Sequence, residues 1–149
     1  MRTREQVKWD YVQQWLDKAR KDLAAGEVLL KEEFEDYENV GFHAQQAAEK
    51  FVKAFLVCHQ IEFPKSHDMA LLRQLVARID PRLAEKLAIA DSLTPYGVEF
   101  RYPGDLPSVS RTEGEKALRA AEQARELISR SLKSYLDTGR PVGGGLGKK

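Results

Sequence analysis

A single cysteine, Cys58, excludes a disulfide within the chain. It falls on an apolar helical stripe, which points to a buried thiol rather than a reactive one. No run of about 18 apolar residues occurs, so no membrane-spanning helix is expected. The opening MRTREQVKWD lacks the apolar centre of a secretory signal, and a cytoplasmic, soluble domain is the simplest expectation. An excess of one charge is missing as well. The 24 basic and 23 acidic side chains leave a net charge of +1, although 32% of the residues are charged. Such a chain has no overall basic field, so a contact with nucleic acid would require a local patch. Alternation with period two is nowhere sustained, which leaves no candidate strand. The three histidines, His43, His59 and His67, form no zinc-like spacing with cysteine or acids. On one helix His43 and His59 would stand about 24 Å apart, too far to share an ion. No metal and no cofactor is expected. The terminal GGGLGKK lacks the GxxxxGK[ST] spacing of a phosphate-binding loop and reads as tail.

What the chain does have is helical periodicity. The most strongly patterned stretch is Phe42–Gln60, FHAQQAAEKFVKAFLVCHQ. Ala44, Ala47, Ala48, Phe51, Phe55 and Cys58 recur at three- and four-residue steps, and Val52, Leu56 and Val57 widen the stripe. A helix apolar over most of its circumference is normally buried among other helices. A first helix is expected over Trp9–Lys31 and the second from near Asn39 to near Gln60, joined by an acidic connection in which Phe34, Tyr37 and Val40 fold back on the core. Pro64 breaks the second helix. Ser66 reads as the N-cap of a third helix carrying Met69, Leu71, Leu72, Leu75, Val76 and Ile79, with Asp68 in its first turn. Asp80-Pro81 signals a fourth helix running to about Leu93. Thr112-Glu113-Gly114-Glu115 reads as a capping box opening a fifth helix to about Leu136. The fold expected is all-α, an up-and-down antiparallel bundle of four to five helices over residues 1–137, followed by a flexible Gly-rich tail over 138–149.

Two places carry candidate chemistry. TPYGVEFRYPGDLPSVSR is the longest stretch without periodicity, and long irregular segments inside compact domains are often functional. Within it Arg101 offers a planar fork suited to phosphate and Tyr102 a stacking face. The central helix presents Gln45, Gln46, Glu49 and Lys50 among its apolar residues, and polar groups on so apolar a helix need partners. Either they anchor the loop by hydrogen bonds, or Gln45, Gln46, Glu49 and Lys50 line a polar groove beside Arg101. His67 is a further candidate at the start of the third helix.

A leading WLDKARKDLAAGEVLL helix, then FHAQQAAEKFVKAFL, SHDMALLRQL, FRYPG and an Ala/Leu/Glu-rich helix follow in order. Together they resemble the HEPN (higher eukaryotes and prokaryotes nucleotide-binding) domain family over roughly residues 9–136. The resemblance implies a helical bundle, commonly a homodimer, that partners a minimal nucleotidyltransferase in a toxin–antitoxin-like system and binds nucleotide or RNA. Many members are RNases in which an Arg and a His four to six residues apart converge across a dimer cleft. Here no His follows Arg101 in that window, and Leu106 stands in it. A leucine can neither take nor give a proton, so that route to RNA cleavage is closed. The expectation is therefore a binding module with no catalytic residue, with Arg101, Tyr102, Lys50, His67, Gln46 and Glu49 as phosphate or nucleotide contacts. An RNase with an altered site and a purely structural interaction bundle are the alternatives.

Overall fold

The structure is a computed structural model that describes residues 1–32, 35–98 and 108–143. Helix α1 spans Arg4–Lys31 and begins earlier than the apolar periodicity predicts. The reason is a capping box: Gln6 N–H donates to Thr3 Oγ1 at 3.1 Å, and Thr3 N–H donates to Gln6 Oε1 at 3.0 Å. Helix α2, Tyr37–Cys58, also starts early, because the Asp36 side chain accepts from Asn39 N–H. Tyr37 and Val40, expected in the connection, are thus helical, with Val40 fully buried. The expectation for Phe34 lies outside the described residues.

Helix α3 spans Met69–Val76, and its cap is Asp68 rather than Ser66. The Asp68 carboxylate accepts from Ala70 and Leu71 N–H at 3.0 and 3.3 Å, while Ser66 Oγ accepts from Asp68 N–H and holds the preceding turn. Asp80 caps α4, Pro81–Lys86, as the Asp-Pro pair predicts. The α geometry then gives way to a 3₁₀ segment over Leu87–Leu93, not the continuous helix expected. A short helix α5, Thr94–Val98, occupies the head of the stretch read as irregular. Helix α6 spans Arg111–Ser131 and α7 Lys133–Asp137. The box that opens α6 is Ser110 with Glu113, not Thr112 with Glu115.

The result is a helical bundle with no strand among the described residues. Its centre is α2, which packs most extensively against α1 and then against α6. Val12, Leu16, Ala19 and Leu23 of α1 meet Ala44, Ala48, Phe51 and Phe55 of α2, with Ala121, Ala124 and Ile128 of α6 closing the core. Burying rings such as Phe51 and Phe55 contributes about 1.5–3 kcal/mol apiece. The alanines let the axes approach. Gly26 does the same for α1 and α6: a Cβ there would stand 2.8 Å from Leu118 Cδ2. Cys58 is buried, and burial pushes its thiol pKa up. No helix among the described residues is long and apolar enough to cross a membrane. Past α7, Gln6 donates to the Pro141 carbonyl at 3.0 Å and Arg140 grips Asp10 at 2.9 and 3.0 Å, so residues 140 and 141 lie against α1.

Candidate functional site on the polar face of helix α2

Apolar steps bury most of α2, yet Gln45, Glu49 and Lys53 follow one another at i, i+4 on the same buried side. All three are nearly inaccessible, at 0%, 2% and 7% relative exposure. A buried carboxylate requires donors, and Glu49 has three. Gln45 Nε2 donates to Oε2 at 2.9 Å, Lys53 Nζ donates to Oε1 at 3.2 Å, and His67 Nδ1 lies 2.9 Å from Oε2. Gln46 joins by donating from Nε2 to Gln45 Oε1 at 2.8 Å. Lys53 is the buried cation that balances Glu49. Its ammonium also lies 5.4 Å from the ring centroids of Trp15 and of Phe63, within cation–π range.

His67 reaches this network from the chain between α2 and α3. The Ser66 and Asp68 turn described above fixes its backbone. Its side chain remains 51% exposed although its Nδ1 is tied to a carboxylate that is 3% exposed. The imidazole is therefore anchored on one edge and open on the other.

Helix α5 lies against Gln45 of the network, and two glycines permit it. A Cβ on Gly41 would fall 2.3 Å from a ring carbon of Tyr96, and one on Gly97 would fall 3.1 Å from Gln45 Cδ. Only backbone without side chain at these two points lets α5 lie directly on α2. Met69 N–H donates to Thr94 Oγ1 at 3.2 Å, which ties the start of α3 to the start of α5. Burial raises the Tyr96 phenol pKa, with the Glu113 charge adding to the effect.

A second cluster joins α2 to α1. Asp22 of α1 receives Lys50 Nζ on one oxygen and His43 Nδ1 at 2.9 Å on the other. Asp22, Lys50 and His43 are all partly shielded, with side-chain exposures of 15%, 21% and 27%.

The expected site residues thus separate. Gln46, Glu49 and His67 share one network. Lys50 belongs to the neighbouring cluster with Asp22. Arg101 and Tyr102 lie outside the described residues, as does Leu106. Sequence reading passed over Lys53, Asp22 and the pairing of His43. The Gln45, Glu49, Lys53 ladder was there to be found by its four-residue step, whereas the two cross-chain partners follow no local pattern. Among the described residues no group of three or more His, Cys, Asp or Glu is placed to hold a metal ion.

The HEPN domain family model matches residues 12–132. The chain belongs to the HEPN family. This HEPN protein is also 29% identical over 137 residues to "Putative toxin MJ1304" of Methanocaldococcus jannaschii, a match covering 83% of this chain and 89% of that protein. No solved structure matches at a significant level.

Proposed function

We propose that this HEPN protein is the nucleotide- or RNA-binding member of a toxin–antitoxin-like pair whose other member is a minimal nucleotidyltransferase, and that it works as a cytoplasmic homodimer. Family membership and the printed name of the archaeal relative support the toxin–antitoxin setting. The observation that carries the binding reading is the polar face of α2, where buried Glu49 holds a half-exposed His67 two residues before Met69, whose N–H is tied to the start of α5. Arg101 and Tyr102 follow Val98, the last residue of α5, by three and four positions in sequence. In this reading Arg101 grips a phosphate through its fork, Tyr102 stacks on a base, Lys50 adds positive charge, and Gln46 and His67 offer polar contacts. The chain lacks the Arg…His pair of the family's RNases, since no His follows Arg101 at four to six positions.

Titrating the purified protein with nucleoside triphosphates and with short single-stranded RNA tests this. Binding is expected, weakening about tenfold in Arg101→Ala, the scale of one charge-assisted contact. A wild-type protein that binds neither probe would contradict the reading. Binding unchanged in Arg101→Ala, accompanied by lower stability, would favour the purely structural bundle instead.

A further inference from the structure

A groove of about 650 Å³ is formed by α1, the last turns of α2 and the chain that follows, with Tyr11, Trp15, Lys53, Val57, Ile61 and Phe63 in its walls. Clefts of roughly 300–1,000 Å³ with apolar walls and a few polar groups are the usual seats of small ligands. Three rings follow one another there. The centroids of Tyr11 and Trp15 are 6.0 Å apart, as are those of Trp15 and Phe63. Such a row of rings suits a flat aromatic guest.

The polar groups in these walls are donors short of acceptors. Lys53 is nearly inaccessible and its ammonium carries three protons, yet the described residues give it a single hydrogen bond, the one at 3.2 Å to Glu49 Oε1. Its other neighbours are the rings of Trp15 and Phe63, which attract a cation but offer no oxygen. Trp15 Nε1–H is buried and finds no acceptor among the described residues. Unmatched buried donors are rare, and here two occur side by side, since Lys53 Nζ stands 5.4 Å from the centroid of the Trp15 ring. Exposed Lys65 and Glu62, which also line the groove, offset each other. The walls therefore match a planar apolar body that carries a negatively charged acceptor.

We propose that this groove binds a small aromatic carboxylate, with its ring against Tyr11, Trp15 and Phe63 and its oxygens on the Lys53 ammonium and the Trp15 indole N–H. The site does not depend on the nucleotide- or RNA-binding reading above, but it is joined to the same network. Glu49 meets Lys53 through Oε1 and His67 through Oε2. An anion on Lys53 competes with Glu49 for the ammonium, so filling the groove reaches His67 through a shared carboxylate.

Calorimetric titration of the full chain with naphthoate tests this. Binding is expected with Kd below about 1 mM, the affinity that the efficiency of drug-sized ligands gives to so small a molecule. Naphthalenemethanol, the same ring without the charge, should bind wild type at least about tenfold more weakly, the scale of one charge-assisted hydrogen bond. Acetate, the charge without the ring, should give no measurable heat of binding. In the nitrogen–proton NMR spectrum naphthoate should move the Trp15 indole signal, assigned with Trp15→Phe, much further than that of Trp9, which packs on Tyr135. Lys53→Met keeps the apolar stem and should bind naphthoate no better than wild type binds the alcohol. Circular dichroism verifies that this variant is folded, and the comparison of the two ligands on wild type decides the matter without it. Wild type that does not bind naphthoate, that binds acid and alcohol alike, or that shifts Trp9 as much as Trp15 would overturn the proposal. None of these results would touch the RNA-binding reading, which RNA titration tests separately.

Discussion

Two clusters on α2 are built from the same parts. Asp22 carries His43 and Lys50, and Glu49 carries His67 and Lys53. In each, a carboxylate meets a lysine and the Nδ1 of a histidine at 2.9 Å. They differ in which member is sheltered. Around Asp22 all three groups are shielded to a similar degree, and the carboxylate joins α1 to α2. Around Glu49 the carboxylate and the lysine are buried while the imidazole is half exposed. The first is a brace between helices. The second is a polar core that holds one half-exposed imidazole. The same three kinds of group, a carboxylate, a lysine and a histidine, yield an even brace in one place and a buried ion pair with an accessible imidazole in the other.

Substitution at the two carboxylates should separate these roles. Glu49→Ala leaves Lys53 charged, buried and without its carboxylate, and should cost about 3–5 kcal/mol in denaturant unfolding. A loss similar to that at an exposed pair would remove the distinction. Asp22→Ala frees two side chains that can reach water, and should cost about 1 kcal/mol by the same measurement.

A carboxylate set against another carboxylate sharpens the contrast further. Glu122 of α6 lies in a groove with Glu27 of α1, and burial together with that neighbouring carboxyl raises its pKa. A folded-state pKa above the unfolded one means that stability is fullest below the unfolded value and falls as pH rises through the folded one. Glu122→Gln should therefore match wild type in acid and exceed it at neutral pH by a few tenths of a kcal/mol after solvent screening. Thermal melts at several pH values measure this, and a variant less stable at neutral pH would show that Glu122 is paired after all.

Much of this bundle was legible before the coordinates. The stripe of Ala44, Ala48, Phe51 and Phe55 placed α2 at the centre, because a helix apolar on most sides must be surrounded. Helix ends were read less well, since caps compete. Ser110 with Glu113 and Thr112 with Glu115 are overlapping boxes of the same type, and local pattern does not choose between them. Ser66 and Asp68 compete in the same way at α3. The site was half legible. Glu49 and Gln46 stood out as polar residues on an apolar helix, and His67 as a residue beside a cap. That His67 and Glu49 meet, eighteen positions apart, depends on how the chain turns from α2 into α3, and no local periodicity encodes that. Lys53 was passed over because a lysine on a helix is ordinarily solvated, whereas here Trp15, Phe63 and Glu49 enclose it.

The most direct measurement is the ring-nitrogen NMR spectrum of His67, recorded at neutral pH on wild type as single-stranded RNA is added and assigned with His67→Ala. The account predicts a ring whose Nδ1 is held by Glu49, so that Glu49→Gln moves its resonance in the free protein, and ring signals that shift on addition of RNA. An Nδ1 resonance that Glu49→Gln leaves unchanged, or ring signals that stay fixed while the protein binds RNA, would contradict it.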